Sequence, residues 1–301
     1  MSKPNFFIIG APKSGTTSLC KYLSDHPNIF ICNPKEPWFF ASDFIFRPIT
    51  NEKNYLKLFN NVDTGKHKVI GEGSTVYLFS KVAVSNILKF QPESKFIVML
   101  RNPTDLVLSL HNQQIKSGNE NILSFIDAWK AEPNRKAGKQ IPFNNREPKL
   151  LYYSEWGKLG MQLNRLLSKV DKANVLIILF DDFVKDTLAC YQETLSFLGL
   201  QFDSRYDFPV HNERADFKNV YYQKVFSLMQ NIWVRFRSKF TLGKGLGMRD
   251  YIMRIIGTKA KIGCSSDIYN TLVDYYLDEI QLLEEITNKK LGHWKSYKQV
   301  N

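Results

Sequence analysis

The chain has 301 residues, 44% of them hydrophobic, and carries a formal net charge of +12. That balance suits a folded domain with a sizeable core; no run approaches the about 18 apolar residues of a membrane-spanning helix, and no apolar leader is expected. Cys20, Cys32, Cys190 and Cys264 are scattered without CxxC spacing, which argues against a disulfide framework or zinc site and fits a reducing cytoplasm.

An apolar run at 6–9 ends in Gly10, passes through Ala-Pro-Lys-Ser-Gly, and opens at Thr16 into a helical pattern over 17–24. The first N–H groups of a helix lack intrahelical partners and the dipole is positive there, so this order of elements binds anions. Gly10 and Gly15 have the spacing of a nucleotide-hydrolysing P-loop, but Thr16 stands where that loop has lysine; the lysine here is Lys13. Next comes Asn33-Pro-Lys-Glu-Pro-Trp-Phe-Phe40. Prolines on both sides of Lys35-Glu36 predict an extended loop, and a carboxylate among apolar rings is suited to general-base work. A weaker strand signal at 69–70 leads into Gly71-Glu-Gly-Ser-Thr-Val-Tyr77, followed by a helical pattern at 81–89. A buried strand at 95–100 ends at Arg101, Pro103 starts a helix over 104–116, and Ser109 falls two turns in. An arginine at the carboxyl end of a strand and a serine hydroxyl can share a phosphate. Residues 131–148 are polar, hold three prolines, and read as a long loop. Helical patterns at 156–168 and 187–198 flank a strand at 175–180, and 266–286 reads as one surface-packed helix. Apolar strands alternating with amphipathic helices indicate a three-layer α/β fold, a central mostly parallel sheet covered on both faces.

The charge is uneven: residues 218–261 hold ten Lys/Arg against Asp250, so +9 of the +12 lies there. Aromatics interleave with these cations, and the mobile-looking segment Gly243-Lys-Gly-Leu-Gly247 lies among them, so 220–263 reads as a basic helical insert in a single domain spanning 1–301. Such a surface can serve an anionic acceptor, a membrane face or nucleic acid. The five histidines do not cluster; His111 lies two positions after Ser109, on another side of the helix, and reads as structural. There is no G-x-S-x-G, H-E-x-x-H or EF-hand-like loop.

Pro-Lys-Ser-Gly-Thr-Thr-Ser-Leu resembles the 5′-phosphosulfate loop of sulfotransferases that use 3′-phosphoadenosine-5′-phosphosulfate (PAPS). The apolar strand, Arg101-x-Pro103 and Ser109 resemble that family's 3′-phosphate motif, and Glu36-x-x-Phe39-Phe40 its E-x-x-F-F element, as carried by heparan-sulfate-type and many bacterial members. Trp38 stands where some relatives have histidine. Gly71 to Tyr77, Phe197-Leu-Gly-Leu200 and the stretch 282–294 are weaker matches, so the likeness covers nearly the whole chain apart from the basic insert. In His211-Asn-Glu-Arg-Ala-Asp-Phe-Lys218 either Arg214 or Asp216-Phe217-Lys218 aligns with the loop that closes over the 3′-phosphate; arginine's bidentate fork favours Arg214.

The resemblance implies a P-loop-like fold, PAPS as cofactor, adenosine 3′,5′-bisphosphate as product and no metal. It implies that Glu36 deprotonates a hydroxyl or amine of a small-molecule or glycan acceptor. Lys13, with the loop residues Ser14, Gly15, Thr16, Thr17 and Ser18, would hold the phosphosulfate and offset charge on the bridging oxygen; Arg101, Ser109 and Arg214 would hold the 3′-phosphate. A cytoplasmic enzyme is expected, with no nucleic-acid partner and with peripheral membrane contact open to the basic insert. Two rivals stand beside it: an ATP-dependent P-loop kinase, with Asp181-Asp182 after the 175–180 strand as its metal-binding acids, and a basic membrane- or nucleic-acid-binding module.

Overall fold

Strand residues that are apolar without alternation imply a sheet buried on both faces. In the computed structural model, which describes residues 2–209 and 265–296, five parallel strands form one sheet in the order β2-β3-β1-β4-β5. They are β1 (Phe6–Gly10), β2 (Ile29–Ile31), β3 (Val69–Gly73), β4 (Lys95–Leu100) and β5 (Val175–Leu179). The helices around them are α1 (Thr16–Ser24), α2 (Glu52–Lys57), α3 (Ala83–Phe90), α4 (Pro103–Ser117), α5 (Phe125–Lys130), α6 (Glu132–Lys136), α7 (Tyr153–Trp156), α8 (Leu159–Leu167), α9 (Phe180–Lys185), α10 (Thr187–Leu198), α11 (Ser266–Tyr275) and α12 (Leu277–Thr287). One face of the sheet packs Phe7, Ile9, Phe96 and Val98 against α3, α4 and α8. The other packs Ile8, Ile97 and Ile178 against α1 and α10. The three-layer α/β expectation holds.

The chain lays strands on one side of β1 first, then crosses to β4 and β5 on the other side. Ligands in such sheets bind at the carboxyl ends where the order reverses, which here brings together the loops after β1 and β4.

Three expectations are corrected. The 131–148 segment is not all loop: α6 forms within it, its Pro133 lying in the first turn where a missing N–H costs nothing. Arg135 of α6 is fully buried, pairing with the equally buried Glu120 at 2.8 Å. The 266–286 helix is two helices, because Tyr276 leaves the helical path to bury its ring and donate to the carbonyls of Tyr153 and Ser154 at 3.1 and 3.2 Å. That ring lies so close to Gly157 that a Cβ there would be 2.2 Å away; the helix expected over 156–168 starts only at Leu159, because Lys158, with ψ 58°, is off the helical path. Arg214, the rest of the 211–218 loop and the basic insert at 220–263 lie outside the described residues. No helix among the described residues is long and apolar enough to cross a membrane.

Candidate active site

Helix α1 is preceded by Gly15, whose φ of 86° an L side chain adopts only with strain. A Cβ there would also press within 3.3 Å of Met99 and the Phe180 ring. Gly15 has no side chain to cap the helix, and the first turn carries no acid, so neither a cap nor a carboxylate offsets the positive end of the helix dipole there. Ser14 is buried and its hydroxyl donates to the Pro12 carbonyl at 3.3 Å, closing the loop on itself. Thr16 is buried, Ser18 half-buried and Thr17 exposed at the helix mouth. Lys13 is half-buried with φ 63°, the left-handed region.

The second motif meets the first through one hydrogen bond. Arg101 leaves the end of β4 and its Nη1 donates to the Lys13 carbonyl at 3.0 Å. Its guanidinium also lies 4.9 Å from the centre of the Phe180 ring, the ring that floors Gly15. Asp105, one turn into α4, lies 3.7 Å from Nη2. Asn102 caps α4 by accepting from Thr104 N at 2.9 Å, and Pro103 follows as the first helical residue. Ser109 sits half-buried on the second turn of α4; among the described residues it makes no hydrogen bond to residues 10–18.

Glu36 faces this loop from the other side. Its segment is not extended: Glu36 and Trp38 have φ of 63° and 55°. Such positions cost about 1 kcal/mol or more each and persist when the surroundings over-determine them. The determinants are visible. Glu36 N donates to the Gly73 carbonyl at 3.0 Å. Its Oε2 accepts from Trp38 Nε1 and from Thr75 N, each at 2.9 Å, and its Oε1 accepts from the Thr75 hydroxyl at 3.0 Å. Oε1, with one such bond, is the oxygen with room for a further partner. Trp38 therefore helps to orient the carboxylate through its indole N–H.

Behind this pair lies Glu72, which the sequence reading carried only as part of a motif. It is 1% exposed and accepts from the Tyr55 hydroxyl at 2.5 Å and the Ser74 hydroxyl at 2.6 Å. Burial pushes its carboxyl up to about 7 against these hydrogen bonds, which pull the other way. Ser74 in turn accepts from Trp38 N at 3.2 Å, so Glu72 is rooted to the Glu36 segment through one hydroxyl.

Lys35 is the residue whose position the sequence did not signal. Its ammonium donates to Thr16 Oγ1 at 3.2 Å and Thr17 Oγ1 at 3.4 Å, at the mouth of α1.

The acids of the kinase rival have other work. Asp181 accepts from Trp294 Nε1 at 2.6 Å and pairs with His293, while Asp182 pairs with Lys289 at 2.7 Å; both moor the C-terminal segment to α9. His111 is buried between the Phe125 and Tyr153 rings, its Nε2 against the Ile122 carbonyl, and burial lowers its pKa. No group of three or more His, Cys, Asp or Glu among the described residues is placed to hold a metal ion.

A family profile described as sulfotransferase domain matches residues 3–261. Over 114 residues the chain is 32% identical to the membrane-associated sulfotransferase kil1 of Dictyostelium discoideum, covering 38% of this chain and 23% of that protein. Over 138 residues it is 30% identical to the bifunctional heparan sulfate N-deacetylase/N-sulfotransferase 3 of Mus musculus, covering 44% and 16%. The chain thus spans less than a quarter of the length of these curated relatives. The crystal structure of a sulfotransferase from Alicyclobacillus acidocaldarius aligns over 98% of this chain and all of its own, with a TM-score of 0.72 at 24% identity, a likeness of fold.

Proposed function

The chain belongs to the sulfotransferase domain family, and on that premise we propose that it transfers a sulfuryl group from PAPS to a hydroxyl or amine of a small-molecule or glycan acceptor. The observation that carries this reading is the Arg101–Lys13 hydrogen bond. It joins the loop suited to a 5′-phosphosulfate to the strand end suited to a 3′-phosphate, with Glu36 across from both.

Sulfuryl transfer asks a protein for in-line positioning and for charge neutralisation on the leaving oxygen. The N–H groups of Gly15, Thr16 and Thr17, with Lys13, bind the phosphosulfate and favour charge on its bridging oxygen. Arg101 and Ser109, joined by Arg214, bind the 3′-phosphate and so select PAPS over ATP. Glu36, held by Trp38 and Thr75, takes the acceptor's proton on Oε1. The enzyme works in the cytoplasm, and its basic segment at 218–261 draws in an anionic acceptor or rests against a membrane surface.

Calorimetric titration with adenosine 3′,5′-bisphosphate against ADP, with and without Mg²⁺, tests the reading. We expect metal-independent preference for the bisphosphate, weakened ~10- to 100-fold in Arg101→Ala, the scale of one lost charged hydrogen bond. Preference for ADP with Mg²⁺ overturns it in favour of a kinase.

A further inference from the structure

The scheme above gives Lys35 no task, yet its placement is built. The lysine stem crosses β3 at Gly73, where a Cβ would stand 2.9 Å from Lys35 Cε and 3.5 Å from Cγ. Glycine at 73 is what lets the chain lie flat and carry the ammonium to the α1 mouth. The side chain is 22% exposed, so it is not a solvated surface lysine.

Neither of the groups it hydrogen-bonds there carries an opposite charge. An ammonium has three donors and no acceptor, and two of them meet the neutral hydroxyls of Thr16 and Thr17. Glu36 Oε1 is 3.9 Å away, beyond the roughly 2.7–2.9 Å of a charge-assisted hydrogen bond. Thr75 and Trp38 hold that carboxylate, which keeps Lys35 from collapsing onto it. A cation at the positive end of a helix is also electrostatically misplaced. An anion entering between the helix mouth and Lys35 resolves both conditions.

Resting on the sulfuryl-transfer reading, we propose that Lys35 is a second catalytic cation, which binds the 5′-phosphosulfate beside the α1 N-terminus and donates to the oxygen that leaves sulfur. As the bond from the acceptor atom to sulfur forms, the bond from sulfur to the bridging oxygen breaks, and its electron pair stays on the 5′-phosphate. The acceptor's proton goes to Glu36. Lys35 remains protonated, and its N–H offsets the charge arriving on the departing oxygen. Because Lys35 touches the loop hydroxyls and borders Glu36, base and leaving group are set on either side of one ammonium.

The test needs no acceptor. Calorimetry measures how much more tightly the protein binds adenosine 3′,5′-bisphosphate than adenosine 3′-monophosphate, which lacks the 5′-phosphate. In Lys35→Met, which keeps the stem and removes the charge, that preference falls ~10-fold or more while the monophosphate binds as before. Lys35→Arg recovers most of it. An unchanged preference in Lys35→Met, or an equal loss for both ligands, overturns the assignment; Lys35→Gln is read the same way should melting show Lys35→Met to be unfolded. Failure of the unmodified protein to prefer the bisphosphate over ADP overturns the sulfotransferase reading and this inference with it, and that failure is seen before any variant is made.

Discussion

Residues 10–18 and residues 33–40 face each other across the site, and they are held in different ways. The phosphate side is shaped by backbone: Gly15 at a φ of 86°, an uncapped helix start, and an arginine bonded to a carbonyl. On the Glu36 side the reverse holds. The carboxylate is oriented by Trp38 and Thr75, the Trp38 backbone by Ser74, and Ser74 by the buried Glu72. Local geometry builds the first wall, so its variants act where they are made. A hydrogen-bond chain builds the second, so its variants act at a distance.

The sharpest way to break this contrast is to disable one wall at a time. Glu36→Gln keeps the shape of the carboxylate and removes the base. Turnover is expected to fall ~10²- to 10⁴-fold, the usual worth of a positioned general base, with bisphosphate affinity held. Lys13→Ala on the opposite wall is expected to lower turnover and bisphosphate affinity together, because the loop cation both holds the phosphosulfate and gains strength as charge arrives on its bridging oxygen. Equal turnover in Glu36→Gln, measured with labelled PAPS, removes it from the mechanism.

The root of the second wall has a pH signature. Burial raises the Glu72 carboxyl to about 7, so the folded protein binds this proton more tightly than the unfolded chain does. The stability it contributes is fully present below the unfolded pKa of about 4.3 and is lost as pH rises through about 7. At about 1.4 kcal/mol per pKa unit the loss is on the order of 4 kcal/mol. Glu72→Gln cannot titrate, so its denaturant midpoint should vary less across that window than the parent's and match or exceed it at pH 8. A variant with the parent's slope shows that Glu72 is not the titrating group.

The two walls also differ in how far the sequence announced them. The strand–loop–helix order of the first wall was legible because its signal is contiguous: apolar run, two glycines, three hydroxyl residues, all within Phe6 to Ser18. Arg101 and Pro103 were legible for the same reason, and the strand 95–100 and helix 187–198 fell where their periodicity put them. The Glu36 wall is assembled from 33–40 and 72–77, and no local pattern reports that Lys35 lies over Gly73 or that Trp38 bonds Glu36. Proline rules gave an extended loop there, and tertiary hydrogen bonds overrode them with left-handed φ at two residues. Strand β2 escaped because three residues carry no period. Tyr276 split the last helix because a buried tyrosine reaching two carbonyls outweighs an unbroken helical pattern.

Trp38→Phe gives the smallest of these effects and the finest probe of the contrast. The ring keeps its edge-on packing against Phe44 and Phe46, at 5.9 and 6.1 Å, and only the N–H to Glu36 Oε2 is lost. Thr75 N still holds that oxygen, so the carboxylate loses one of its hydrogen bonds and none of its charge. A single such bond is worth about 1–2 kcal/mol, so turnover should fall roughly 10-fold with cofactor KM and bisphosphate affinity unmoved. A purely structural role for Trp38 would instead lower the melting temperature and raise KM. Unaltered turnover would mean that Thr75 alone orients the base, and the second wall would then be a pair of contacts rather than a chain.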